Sequence, residues 1–182
     1  KRKITVSTKG GIVTPHFIGK LIEVDMGEPI LNCNDIPVNW NGELINRPLS
    51  FPDVKFFITC VSMGNPHCTI FVNNVKLFPV SIYGPIVEKH HLFPQKTNVE
   101  FIEVVNKSNI RIRVWERGVG ETPSCGSGAC AAVVASYLNK KTKRKVKVDL
   151  NGGMLKIDWN KKNDHIYMTG PAETVYNGEI EI

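Results

Sequence analysis

The residue types best suited to chemistry lie in one stretch, Glu116-Arg117-Gly118-Val119-Gly120-Glu121-Thr122-Pro123-Ser124-Cys125-Gly126-Ser127-Gly128-Ala129-Cys130. Its four glycines permit positive φ and a close approach of backbone to ligand. Gly126, Ser127 and Gly128 stand just before an apolar helical run, so their backbone N–H groups have no partner within the helix. Such a group of donors is a ready site for a carboxylate or phosphate. Cys125 sits at its edge, where the positive potential of a helix N-terminus favours thiolate. A thiolate beside a bound carboxylate is placed to act on the neighbouring atom, which in an amino acid is Cα. Alone, the motif reads first as a glycine-rich turn over an inert, buried cysteine. Cys130 is expected to face the core.

Gly64-Asn65-Pro66-His67 is a second candidate. A tight turn after a strand lets Asn65 offer donors and acceptors to an amine or carboxylate. It also lets His67 orient a thiol or tune its proton affinity. In Glu116-Arg117, arginine can clamp a carboxylate by parallel hydrogen bonds and glutamate can hold an ammonium. Read singly, these are also an ordinary turn and a surface ion pair.

The elements that must hold these groups are mostly strands. Ile4–Val6 before Gly10-Gly11 predicts a hairpin. Leu21–Met26, Phe56–Val61, Cys68–Val72 and Asn98–Val105 are strand-like, and Asp35–Asp53, with Pro37, Pro48 and Pro52, reads as irregular. Ile110, Ile112 and Val114 alternate with Arg111 and Arg113, the pattern of a half-buried strand. Val146/Val148/Leu150 and Leu155/Ile157/Trp159 flank Asn151-Gly152-Gly153 as a second hairpin. His165–Thr169 and Val175–Ile182 complete the strands. Val80–His90 is a candidate helix despite Pro85. Ala129–Leu138 is apolar nearly all round, so it must be covered on every side. Many strands and few strong helices, without regular alternation, favour a sheet curled around a central helix.

The 182 residues suffice for one good domain, and 42% hydrophobic with 22% charged residues is ordinary globular composition. No apolar run approaches a membrane span, and no signal-peptide pattern occurs. The chain begins at Lys1 without Met, so it is expected to start inside a longer coding sequence. Of the net charge of +6, part comes from six cations between Lys140 and Lys147. Such a run can mark a nucleic-acid or membrane-surface patch. With no interleaved aromatics and no nucleic-acid motif, it is read as a solvated helix C-terminus and loop. Cysteines at 33, 60, 68, 125 and 130 are odd in number and lack C-x-x-C spacing. A reducing cytoplasm is therefore expected rather than a disulfide framework. His90-His91 has no second ligand pair at zinc spacing, so no metal site is expected.

Gly64-Asn65-Pro66-His67-Cys68, Glu116 to Thr122 and Cys125-Gly126-Ser127-Gly128-Ala129-Cys130-Ala131-Ala132, in this order, closely resemble the diaminopimelate epimerase family. Shorter matches lie at Lys1 to Thr8, Met26-Gly27-Glu28-Pro29, Thr97-Asn98-Val99 and Tyr167-Met168-Thr169-Gly170-Pro171. The resemblance implies an α+β fold, a mixed, barrel-like sheet around a central buried helix, as one of two similar domains. It implies cofactor-independent interconversion of LL- and meso-diaminopimelate in lysine and peptidoglycan-precursor synthesis, with two cysteines flanking Cα. Cys125 matches the second of that pair. Catalytic roles are implied for Cys125, His67 and Glu116. Substrate contacts are implied for Asn65, Asn98, Glu116, Arg117, Gly126 and Ser127. The first cysteine, in a Cys-Gly-Asn-Gly loop, has no counterpart in this sequence: Cys33-Asn34 and Cys60-Val61 lack the glycines. The chain thus resembles the C-terminal two-thirds of the family. Residues 1–24 and 171–182 are expected to complete an N-terminal domain, and 25–170 to form the C-terminal domain. The partners expected are diaminopimelate, the N-terminal half and, as a homodimer, a second copy; neither nucleic acid nor membrane is expected. The chain alone is expected to be inactive. A proline-racemase-like or phenazine-synthesis-like isomerase, and a non-catalytic remnant, are the alternative readings.

Overall fold

The computed structural model describes residues 4–8, 11–174 and 176–180. Strands β1 (Val6–Thr8) and β2 (Gly11–Val13) make a separate antiparallel hairpin. Its expected turn residue Gly10 lies outside the described residues. The other strands form one mixed sheet. They are β3 (His16–Ile18), β4 (Leu21–Asp25), β5 (Arg47–Ser50), β6 (Lys55–Ser62), β7 (Pro66–Phe71), β8 (Asn98–Asn106), β9 (Asn109–Glu116), β10 (Gly120–Thr122), β11 (Lys145–Leu150), β12 (Gly153–Trp159) and β13 (Ile166–Pro171). Their order is β3-β4-β13-β12-β11-β9-β8-β7-β6-β5, with β10 folded back on β9. The pairs β7/β8 and β9/β11 are parallel, and the rest are antiparallel.

Helix α2 (Gly126–Leu138) decides the shape of this sheet. Ala129 through Ala135 are fully buried, so water covers no side of that run. Strands β6 to β9 and β11 to β13 all touch it, which requires the sheet to curl around the helix axis. The alanines let strands approach closely. Ile110, Ile112 and Val114 of β9, Val146 and Val148 of β11, and Ile157 and Trp159 of β12 supply the facing side chains. The alternation read from these strands is the alternation of inner and outer faces. The fold is thus the α+β arrangement expected from the sequence.

A second core lies on the outer face of β6 to β8. Helix α1 (Val80–Glu88) and residues 33–49 cover Ile58, Cys60, Cys68, Ile70, Val99 and Phe101 there. Pro85 is tolerated in α1 because the carbonyl it leaves free, that of Ser81, is on an exposed residue. Gly84 sits on the Trp115 ring so closely that a Cβ would lie 2.6 Å from Cγ. No helix among the described residues is long and apolar enough to cross a membrane.

Three expectations need correction. Residues 35–53 are not wholly irregular: Arg47–Ser50 forms β5, with Pro48 inside it. Because β5 is the sheet's edge, the missing proline N–H breaks no inner ladder. The strand expected over 175–182 is not formed by residues 176–180, which lie exposed; an extended segment needs a neighbour to take its hydrogen bonds. Residues 175, 181 and 182 lie outside the described ones. The basic run is not all helix end and loop, since Lys145 and Lys147 belong to β11. Several of its cations have structural partners: Lys141 over Phe71, Arg144 over Trp159 and bonded to Asp164, and Lys145 on Asp158.

Enclosure of α2 leaves no room for growth inside the curl. Ala132→Leu should lose about 1–3 kcal/mol of unfolding free energy, whereas Leu77→Ala on the surface should stay within about 0.5 kcal/mol of the parent. Urea unfolding of the two variants measures the difference.

Candidate active site

The site forms where α2 begins. Cys125 is the N-cap residue, in extended conformation, and its side chain takes the place usually held by serine or aspartate. The Gly128 N–H donates to Cys125 Sγ at 3.4 Å, and Ser127 Oγ lies 3.6 Å from the same sulfur. The Gly126 and Ser127 N–H groups take no partner among the described residues and remain at the open end of the helix. Gly126 lies against Met168 of β13, with a Cβ position only 2.9 Å from Sδ. The turn after β11 supports the preceding segment: Gly152 N–H donates to Pro123 O at 2.7 Å.

His67 and Asn98 are directly paired residues of the parallel strands β7 and β8. His67 Nε2 lies 2.9 Å from Asn65 Oδ1, so the turn holding Gly64 at φ +90° brings the two candidates into contact. Asn98 is taken at both ends: its amide donates to Pro66 O, and its oxygen accepts the Arg117 N–H, each at 2.9 Å. It therefore ties β7, β8 and the Arg117 turn together. The Arg117 guanidinium is exposed, bonded only weakly to Gln95 O at 3.4 Å. Glu116 accepts a short hydrogen bond from Thr122 Oγ1 across the β9/β10 pair. All eight sequence-selected residues thus meet around one end of α2.

Sequence reasoning missed two carboxylates. Glu100, wholly buried on β8, lies 2.7 Å from His67 Nδ1 through Oε1. Its available signal was a charged residue in an apolar strand, in register with Asn98 and Ile102. Glu88, at the end of α1, accepts from Trp115 Nε1 at 2.8 Å and from the Gly118 N–H at 2.9 Å. It clamps the turn that carries Arg117, which nothing in its local sequence reveals.

The electrostatics differ from the expectation for a bare helix N-terminus. Burial pushes the Cys125 thiol above its ordinary pKa, and the negative charge of Glu100 adds to this. The hydrogen bonds from Ser127 and Gly128 act the other way but do not prevail, and Glu116 raises it further. The expected lowering fails because the sulfur is buried and, secondarily, because the helix end faces two carboxylates. Cys130, fully enclosed, is pushed up by burial and has the core position expected of it. Burial would raise Glu88, but the Trp115 and Gly118 donors outweigh it and hold the carboxyl below its usual value.

With this geometry in hand, comparison with known proteins is decisive. Residues 59–175 match the diaminopimelate epimerase family. The whole chain is 48% identical to the diaminopimelate epimerases of Acetivibrio thermocellus and Methanococcus maripaludis strain C5, covering 67% and 68% of those proteins. The chain belongs to the diaminopimelate epimerase family. It is also 46% identical to the diaminopimelate epimerase of Leptospira biflexa, again over its whole length. The chain spans about two-thirds of the length of these curated relatives. In fold it is similar to a probable proline racemase from Agrobacterium radiobacter, with TM-score 0.67 and 13% identity over 99% of this chain and 60% of that one. A phenazine biosynthesis protein from Bacillus anthracis gives 0.63 and 15%, over 100% and 69%. At such identities the likeness is one of fold.

The Glu88 clamp has a pH signature. A depressed carboxyl contributes stability above its unfolded pKa, and this is lost as pH falls through the folded value. Glu88→Gln should cost about 1–3 kcal/mol at neutral pH, with the gap to the parent closing in acid, below the ordinary glutamate range. Urea titrations of both proteins at the two pH values provide the check.

Proposed function

We propose that this chain supplies the proton-donating half of a cofactor-independent diaminopimelate epimerase. The observation that carries this reading is Cys125 Sγ at the first turn of α2, beside the N–H groups of Gly126 and Ser127, which have no partner among the described residues, and facing the carboxyls of buried Glu100 and half-buried Glu116. The substrate α-carboxylate sits on those two N–H groups, which places Cα near the sulfur. A first cysteine, from the family's N-terminal part, removes the Cα proton as thiolate from one face. The electron pair left on Cα spreads into the α-carboxylate, where the helix N-terminus stabilises the added charge. Cys125 S–H then delivers its proton to the opposite face and is left as thiolate, held by the Gly128 N–H and by Ser127. The first cysteine is now the thiol, so the reverse reaction starts from the exchanged state.

A resting thiol suits this role, and the raised proton affinity of Cys125 supports it. Arg117, exposed and weakly held, binds the distal carboxylate. Asn65 and the remaining amide proton of Asn98 contact the distal polar groups. His67 and Glu116 complete the charge balance around Cα. Segments 1–24 and 171–182 complete the N-terminal domain in this reading, and the reaction belongs to the cytoplasm.

Because inversion needs a group on each face, the chain alone should turn over LL-diaminopimelate negligibly, and addition of the family's N-terminal part should restore activity. In the restored enzyme Cys125→Ala should lose about 10²–10⁴-fold in kcat. Full turnover by the isolated chain, or by the Cys125→Ala form, contradicts the proposal. A panel including proline separates it from a proline-racemase activity.

A further inference from the structure

Glu100 is a buried carboxyl with an unsatisfied oxygen: it has no exposed surface, and Oε2 has no hydrogen-bond partner among the described residues. An ionised, half-satisfied carboxylate in an apolar interior is strongly disfavoured unless nearby groups compensate it. A neutral side chain of like size would fill the same space in β8 without that cost, so the presence of a carboxyl points to a task.

Its surroundings specify the task. On one side, Oε1 lies 2.7 Å from His67 Nδ1, with both side chains fully buried. An ionised carboxyl only accepts, so Nδ1 donates to Glu100, and Nε2 donates to Asn65 Oδ1, also an acceptor, when the ring carries both protons. On the other side, the carboxylate reaches beneath the first turn of α2. A Cβ at Gly128 would meet Glu100 Oε1 at 2.8 Å and Cys125 Sγ at 3.2 Å. Gly128 is therefore the gap through which the carboxylate approaches both the helix start and the sulfur. A side chain at this position would push the carboxylate or the thiol aside.

We propose that Glu100 is a positioning residue of the proton-transfer site, which fixes the His67 ring through Nδ1 and places a buried negative charge beneath Cys125 that keeps this sulfur a thiol at rest. The role rests on the epimerase reading, but the charge effect does not. Facing Cys125 are Glu100 from β8, Glu116 from β9, and Ser127 Oγ and the Gly128 N–H from its own helix. Facing Glu100 are His67 and Cys68 from β7, Glu116 from β9, and Cys125; burial pushes its carboxyl above the ordinary value, and His67 acts against that. Both carboxylates disfavour a second negative charge on sulfur, and Glu100 contributes more than Glu116. When Cys125 has given up its proton, the same repulsion favours its recapture, from substrate Cα in the reverse direction or from water. Glu100 itself touches neither substrate nor reacting atom.

The test is the pH profile of Cys125 alkylation by iodoacetamide on the full 182-residue chain, read by peptide mass spectrometry, for the parent, Glu100→Gln and Glu100→Asp. Glu100→Gln, which keeps the volume and removes the charge, should shift the labelling midpoint down by about one pH unit and raise labelling below the midpoint about tenfold. Glu100→Asp keeps the charge and should restore most of the parent profile, and Glu116→Gln should move it less than Glu100→Gln does. An unchanged or raised midpoint in a folded Glu100→Gln chain, or equal shifts in the Gln and Asp variants, overturns the proposal. Should Glu100→Gln not fold, nitrogen-15 spectra of the parent decide. A slowly exchanging proton on His67 Nδ1 from about pH 6 to about pH 8 is expected, and an unprotonated Nδ1 overturns the assignment. Labelling requires no diaminopimelate, so a chain that never gains epimerase activity can still show the Glu100 effect, and the two claims fail separately.

Discussion

A helix that is apolar on every side has to be enclosed, and enclosing α2 determines most of this molecule. Its small residues let β6 to β9 and β11 to β13 close around it, and the resulting curl fixes which face of each strand is inside. The helix start is left at the end of the curl, where strand ends and turns converge. Its free N–H groups then point at the place where Asn65, His67, Asn98, Glu116 and Arg117 are delivered by β7, β8, β9 and their turns. The outer core adds the Glu88 clamp, so α1 takes part in the site without approaching the sulfur.

Two opposed fields meet at Cys125. The helix start and the Gly128 N–H favour thiolate; burial, Glu100 and Glu116 favour thiol, and they prevail. A two-sided proton transfer requires one sulfur charged and the other neutral at the outset, with each able to take the other state. A cysteine that leans toward thiol, yet has donors ready for its thiolate, meets that requirement. The buried carboxyl beneath it leaves one oxygen without a partner among the described residues, which costs stability.

The sequence disclosed the central helix and the alternating strands β9, β11 and β12, because periodicity is a local property, while the set of eight candidate residues came from the family resemblance. It did not disclose β5, since the proline that argues against a strand is harmless on an edge. Nor did it disclose the thiol's true bias. A helix N-terminus is visible in the order of residues, but what opposes it is burial of the sulfur and then Glu100, on a strand distant in sequence and adjacent only after the sheet has curled. Glu88 was hidden for the same reason, being recognisable only through its contacts with Trp115 and Gly118.

The central claim is that Cys125 serves one face of Cα and no other. The most direct measurement is deuterium incorporation at Cα in heavy water, with the Cys125→Ala chain combined with the family's N-terminal part. The account predicts that one diaminopimelate stereoisomer exchanges its Cα hydrogen through the remaining cysteine, with configuration retained. Inversion accompanying that exchange contradicts it.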